Sequence, residues 1–115
     1  MNMKLINLTP HDLTLRGPDG SDVIVPSSGV ARVRTTPGEL VEVPGIPVPI
    51  ALPTLWGEIE GLPAPQADTI VVVSALVAER ARRSDVVSPG TGPADGAIRD
   101  ADGRIVAVTR LIRWA

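Results

Sequence analysis

The sequence predicts an α+β fold with a mainly antiparallel sheet, which could curl toward a small barrel, and one short helix at about residues 75–83. Three observations support this prediction. The apolar β-branched run Ile70-Val71-Val72-Val73 shows no polar alternation, as is typical of a strand covered on both faces. The run passes directly into a segment rich in Ala, Leu, Glu and Arg, and short strand-like segments surround both. The 115 residues suit one domain, residues 1–115.

The composition restricts both the core and the chemistry. Hydrophobic residues make up 43%, without Phe or Tyr and with only two Trp, so the core must be built from Val, Ile, Leu and Ala. The chain has no Cys and one His, which excludes a disulfide framework and thiolate metal ligands. We therefore expect no cofactor and no metal centre. The net charge of −2 argues against a partner such as bulk nucleic acid.

The chain before the central run contains several strand-like segments. A first strand ends at Thr9-Pro10, because proline lacks a ladder donor. The next two segments alternate apolar and polar residues around Gly17-Pro18-Asp19-Gly20, which predicts a hairpin. These predicted strands are residues 4–8, 12–16, 22–26, 30–34 and 56–62. Four prolines crowd residues 41–53, so we expect that segment to form an edge or to lie extended over the core.

After the central run, Ser74 is a good N-cap for the predicted helix. Helical spacing places Val77, Ala78 and Ala81 on the inward face, with Glu79, Arg80, Arg82 and Arg83 in water. Residues 88–96 are rich in Gly and Pro and predict a loop. A second hairpin is expected at the end of the chain, with a short strand at 97–99, a turn at 100–103 and a long strand at 104–114.

The first candidate site is the segment Asn7-Leu8-Thr9-Pro10-His11. At the end of a strand, the amide of Asn7, the hydroxyl of Thr9 and the imidazole of His11 could converge on a ligand. Asn and Thr beside Pro are also ordinary turn residues, and both interpretations are open from the sequence.

The second candidate site is a set of anion-binding groups near the end of the chain. Gly90-Thr91-Gly92 offers backbone amides that could hold an anion, and Arg99 and Arg104 flank the turn of the second hairpin. Guanidinium groups on paired strands can reach a common phosphate. The alternatives are plain surface charges and the amino-acid bias of a GC-rich genome, since ten of the eleven basic residues are Arg.

A third set of residues is compatible with catalysis. Glu58 and Glu60 project together on alternate strand positions and could act with His11 as acid and base, or bind a divalent ion. This is the alternative of a small hydrolase or metal-dependent enzyme. A solvated strand face explains the two carboxylates more simply, so we expect a protein without catalytic residues.

Several segments together resemble a family of small, mostly uncharacterised proteins of phages, prophages and actinobacteria. They are Asn7-Leu8-Thr9-Pro10-His11, residues 28–32, 56–63, 73–78 and 99–105. The resemblance implies a phage-associated accessory protein. By analogy, viral accessory proteins of this size include sponges that sequester nucleotide immune signals and so counter host defence.

The leading functional prediction is therefore a non-enzymatic, self-associating protein that binds a small anionic ligand, in particular a nucleotide. Trp114 is the expected anchor of a homo-oligomer interface, because Trp is enriched at such centres. The alternative to a ligand-binding function is a protein-interaction or structural module that uses sheet edges and the proline-rich segment. No apolar run has the length of a membrane span, so we expect a cytoplasmic protein, in the host cytoplasm if phage-encoded.

Overall fold

The computed structural model describes residues 2–115, and Met1 lies outside the described residues. The fold is α+β, as predicted. The described chain contains one helix, α1 (Ala75–Ala81), and twelve strands. The strands are β1 (Lys4–Asn7), β2 (Leu13–Arg16), β3 (Asp22–Val25), β4 (Arg32–Thr36), β5 (Leu40–Val41), β6 (Ile50–Ala51), β7 (Leu55–Glu60), β8 (Thr69–Val72), β9 (Val86–Pro89), β10 (Ile98–Arg99), β11 (Ile105–Ala107) and β12 (Leu111–Arg113).

A four-stranded sheet in the order β1-β8-β9-β12 forms the centre of the molecule. β8 pairs in parallel with both β1 and β9, and only β12 runs antiparallel, against β9. The prediction of antiparallel pairing therefore holds for the four two-stranded sheets of the described chain but not for the central sheet, which is mixed. The strands do not close into a barrel.

The parallel pairing of β8 and β9 depends on a strand that the sequence did not indicate. The loop predicted at residues 88–96 begins two residues later, because Ser88 and Pro89 continue β9. Ser88 and Pro89 are poor strand formers, and the burial of Val86 and Val87 in the core outweighs this local preference. The helix between β8 and β9 supplies the crossover that parallel strands need.

Both faces of β8 are covered, which confirms the prediction of a buried central strand. Val71 and Val73 face α1, where they pack with Val77 and Val86. Val72, which is 0% exposed, points to the opposite face and packs against Leu13 of the β2–β3 hairpin. The chain thus builds three layers, with the helix on one side of the sheet and the hairpin on the other.

The helix is shorter than predicted and ends at a left-handed residue. Arg82 has φ 51° and donates its backbone N–H to the carbonyl of Ala78, which closes the last turn. Ser74 lies at the N-cap, but its side chain makes no capping hydrogen bond, so the expected stabilisation by its hydroxyl is absent. The inward face of Val77 and Ala78 is confirmed. The longest helix of the described chain has seven residues, too few to cross a bilayer.

Arg83 was expected in water, and the structure corrects this prediction. Its guanidinium is half-buried and donates to both carboxylate oxygens of Asp85, at 3.0 and 2.7 Å, and to the carbonyl of Pro63 at 3.0 Å. The hydrogen bond from Arg83 holds the pKa of Asp85 below its usual range. The pair therefore fixes the chain between α1 and β9 to the segment that enters β8.

Both predicted hairpins form. β2 and β3 pair across the turn at residues 17–20, and β10 and β11 pair across the turn at residues 100–103. The long last strand, however, is wrong. It breaks after Ala107, because Val108 bridges to Leu15, and the chain then resumes as β12 beside β9. One apolar run therefore serves two sheets.

β4 and β7 form the base of a two-stranded arm, defined here as residues 32–60. β5 and β6 continue it and pair only with each other. The base is fixed to the body by Val33 and Ile59, which pack on the core, and by Arg80, whose guanidinium lies 4.6 Å from the ring centre of Trp56. The proline-rich segment was expected at an edge or over the core. It does not cover the core, because every residue from 41 to 53 except the partly buried Val43 is exposed.

The core assignment predicts that Val72→Asp unfolds the protein. An unpaired carboxylate at this fully buried position costs several kcal/mol, against a total stability of roughly 5–15 kcal/mol. Ile24→Asp, at a 63% exposed position on β3, is the matched control and should leave the thermal midpoint unchanged. Circular dichroism melting measures both, and a cooperative wild-type melt for Val72→Asp contradicts the assignment.

Candidate functional site

The loops after three parallel strands leave the same edge of the central sheet. Asn7, Val72 and Val87 are in register on β1, β8 and β9, so the chain segments that follow them emerge side by side. Ligands of parallel sheets bind at this carboxyl edge. Two of the predicted ligand segments, residues 7–11 and residues 90–92, lie at this edge. The sequence did not indicate that they are neighbours, because it predicted a mainly antiparallel sheet.

Asn7 is the most fully engaged polar residue of this edge. It is 0% exposed, and its amide nitrogen donates to the carbonyls of His11 and Val25, both at 2.9 Å. Its side-chain oxygen accepts from the backbone N–H of Thr9 at 3.0 Å and from the Thr9 hydroxyl at 2.6 Å. Every hydrogen-bonding group of the amide is thus used inside the protein.

The Asn7 bonds fix a turn. They join the end of β1 to the end of β3, and Ser27 adds a bond from its hydroxyl to the carbonyl of Thr9 at 2.6 Å. The Thr9 hydroxyl lies 2.6 Å from Oδ1 of Asn7 and 3.0 Å from the carbonyl of His11, and both acceptors belong to the turn, while His11 is exposed. Of the two interpretations of the Asn-Leu-Thr-Pro-His segment, the geometry favours the turn.

The Gly90-Thr91-Gly92 loop binds a carboxyl group of the protein itself, the side chain of Asp95. Gly92 donates its backbone N–H to Oδ2 of Asp95 at 2.8 Å, and Gly90 donates to the carbonyl of Arg110 at 2.9 Å. A Cβ on Gly92 would lie 2.7 Å from Oδ2 of Asp95, so glycine is required for this close approach. An external phosphate at the Gly92 amide would have to displace this carboxylate.

A cavity of about 310 Å³ opens beside this loop, at the carboxyl end of β9. Trp114 forms part of its wall and donates its indole N–H to the hydroxyl of Ser88 at 3.0 Å. The residues that line the cavity are Ala75, Ser88, Pro89, Thr91, Gly92, Asp95, Ile112 and Trp114. Trp114 therefore packs within its own chain, against the core, and the structure gives no support to its expected place as an exposed interface anchor.

Arg99 and Arg104 lie apart from this cavity, on the β10–β11 hairpin. Arg99 donates from its guanidinium to the carbonyl of Gly103 at 2.8 Å, and so stabilises its own turn. Arg104 is exposed, and its backbone N–H donates to Oδ1 of Asp100 at 3.0 Å. The predicted anion-binding groups thus divide into a loop that is already occupied and a hairpin with two exposed arginines.

The residues proposed for catalysis do not form a cluster. Glu60 pairs with Arg34 at 2.8 Å on the arm, and Glu58 is exposed on the same strand. Among residues 2–115, no group of three or more His, Asp or Glu side chains is arranged to hold a metal ion. No contact of the described chain joins His11 to either glutamate.

Two features of the structure were missed at the sequence level. Asp95 is the acidic residue that completes the glycine-rich loop, and its signal was the spacing Gly92-x-x-Asp95, which suits a side chain returning to a loop amide. The second feature is the exposed apolar surface of the arm. Its signal was the combination of four prolines with apolar residues, which excluded a core strand but left the position of the segment open.

Comparisons with protein-family models, curated proteins and solved structures find no match to this chain.

The structural interpretation of Asn7 predicts that Asn7→Ala destabilises the protein by about 2–4 kcal/mol, because the fully buried amide is lost together with its four hydrogen bonds to the surrounding turn. Asn2→Ala, at an exposed position, is the control and should be neutral. Urea unfolding measures the difference. A variant with wild-type stability would contradict the structural assignment and return Asn7 to the candidate ligand residues.

Proposed function

We propose that this protein is a non-enzymatic interaction module that self-associates through its arm. The observation that carries the proposal is the concentration of exposed apolar side chains on one two-stranded element. Of fourteen large hydrophobic residues exposed in the described chain, eight lie between residues 40 and 56. They are Leu40, Val41, Ile46, Val48, Ile50, Leu52, Leu55 and Trp56.

An exposed apolar surface of this kind marks an interaction site, because soluble monomers rarely leave such groups in water. The exposures are large: Leu40 is 68% exposed and Leu55 is 67% exposed. Single exposed hydrophobic residues are common on proteins, but here they are neighbours on one ribbon. The surface is thus a property of the arm as a whole.

The architecture of the arm also favours a partner. Both of its sheets have two strands, and an isolated two-stranded ribbon is only marginally stable in water. The prolines at 44, 47, 49 and 53 remove backbone donors near the tip, so further strand pairing is restricted there. The arm is therefore suited to packing through its side chains and not by the addition of a further strand.

The available area is sufficient for a second copy of the chain. If each of the eight side chains exposes half of the roughly 100 Å² that an aliphatic side chain buries in a core, the arm offers on the order of 400 Å² of apolar surface. Neighbouring strand residues such as Leu40 and Val41 point to opposite faces of the ribbon. Two arms that enclose both faces of each other then bury about 800 Å² of apolar area, or about 1,400 Å² in total, within the range of stable complexes. A two-fold arrangement matches the same surface on both copies.

The binding of a small anionic ligand, in particular a nucleotide signal, stays a prediction from the sequence, as does the phage or prophage context. The exposed arginines Arg99 and Arg104 support it. The occupied loop amides of Gly90 and Gly92 weigh against the arrangement first expected. Self-association through the arm depends neither on the binding of an anionic ligand nor on a phage or prophage context.

The proposal predicts that the double variant Leu40→Asp with Val48→Asp is monomeric at concentrations where the wild type associates. Two carboxylates buried in an apolar interface should weaken association at least about a hundredfold. The control is Ile24→Asp on β3, which is 63% exposed but lies outside the arm and should associate like the wild type. Sedimentation velocity over a concentration series measures all three proteins.

Two results would overturn the proposal. The first is a wild type that stays monomeric at the highest concentration tested. The second is a loss of association in Ile24→Asp equal to that of the double variant, since the apolar surface of the arm would then have no special part in the contact.

A further inference from the structure

The cavity beside Trp114 combines a carboxylate, an aromatic ring and an apolar floor. Asp95 supplies the carboxylate, Trp114 supplies the ring, and Ile112 and Pro89 supply apolar surface. Ser88 contributes a hydroxyl that is 1% exposed. This set differs from the anion-binding groups expected from the sequence, because its charged member is negative.

The charge of Asp95 is fixed at the cavity by the loop. Oδ2 accepts the backbone N–H of Gly92 at 2.8 Å, and the absence of a side chain on Gly92 makes the approach possible. Two arginines lie nearby. Arg110 flanks Gly90 together with Asp95 and lines a second cavity on the side of the β2–β3 hairpin, and Arg82 donates from its guanidinium to the backbone carbonyl of Trp114 at 3.5 Å. No salt bridge within residues 2–115 joins Asp95 to a basic side chain. The carboxyl group of Asp95 therefore lines the cavity without an ion-pair partner.

Trp114 is held in one orientation by its neighbours. Its indole N–H donates to Ser88, and its ring packs on the core. An aromatic ring attracts cations at its face, and the attraction grows when the cation leaves water. The Ser88 hydroxyl accepts from Trp114 and keeps its own proton for a further acceptor.

We propose that this cavity binds a small organic cation with a short aliphatic body, such as a primary alkylamine. The ammonium group lies between Asp95 and the face of Trp114, and the aliphatic part lies on Ile112 and Pro89. A phosphate or other anion is repelled by Asp95 at the same position. The glycine-rich loop therefore selects cations, because it presents its own carboxylate.

The test compares three probes with the same apolar body: n-butylammonium, n-butanol and n-butyl phosphate. The protein carries Trp56→Leu, which leaves Trp114 as the single fluorophore. We expect n-butylammonium to change the Trp114 emission with a saturable Kd on the order of 1 mM, weakening as salt is added. n-Butanol should bind at least tenfold more weakly, and n-butyl phosphate should not bind.

Asp95→Asn supplies the matched variant, because its side-chain oxygen can still accept from Gly92 while the charge is removed. It should weaken n-butylammonium binding at least fivefold and retain the wild-type melting temperature. Asp102→Asn, in the exposed hairpin turn, is the control and should bind like the parent.

Three results overturn the proposal. They are the absence of a saturable change with n-butylammonium at about fiftyfold the expected Kd, equal or tighter binding of n-butyl phosphate, and unchanged affinity in Asp95→Asn. If Asp95→Asn fails to fold, the order of affinities among the three probes in the Trp56→Leu parent decides the question.

Discussion

The burial of β8 on both faces is the constraint on which the rest of the structure depends. Val71 and Val73 need a cover on one side of the sheet and Val72 needs one on the other, and a chain without Phe or Tyr must assemble both covers from small aliphatic side chains. The helix supplies the first cover and the β2–β3 hairpin supplies the second. Because α1 carries the chain back to the edge where β8 begins, the next strand, β9, runs parallel to β8 in the same sheet and places its loop at the edge where β1 also ends.

At that edge, the polar residues that look available for a ligand mostly serve the protein's own backbone. Asn7 satisfies the turn after β1, and Asp95 occupies the amide of Gly92 in the loop after β9. Short loops between buried strands leave backbone donors and acceptors that need partners, and nearby side chains provide them. The surfaces that these hydrogen bonds do not occupy are the cavity beside Trp114 and the exposed apolar side chains of the arm.

The sequence predicts the elements of this fold better than their arrangement. The buried run at residues 70–73, the helix and both hairpins follow from local patterns, because periodicity and turn chemistry act within a few residues. The mixed sheet does not, because β9 consists of four residues whose strand state comes from long-range burial of Val86 and Val87. The same limit applies to the site. Residue type suggested an anion near Gly92, but only the folded loop places the carboxylate of Asp95 there.

Native-state hydrogen exchange over a concentration series tests most directly the proposal that the arm pairs with the arm of a second copy. The amides of Val71 and Val73 donate to Asp85 and Val87 inside the central sheet, whereas the amide of Leu52 donates to Glu39 on the arm. At low concentration, Leu52 should exchange through local opening, far faster than the two valines, which exchange only on global unfolding. The difference in exchange rate between Leu52 and the two valines should decrease as the protein concentration rises and the arms pair. Pairing of the arms is contradicted if the Leu52 amide is as protected as Val73 in the monomer, or if the difference in their exchange rates does not change with concentration.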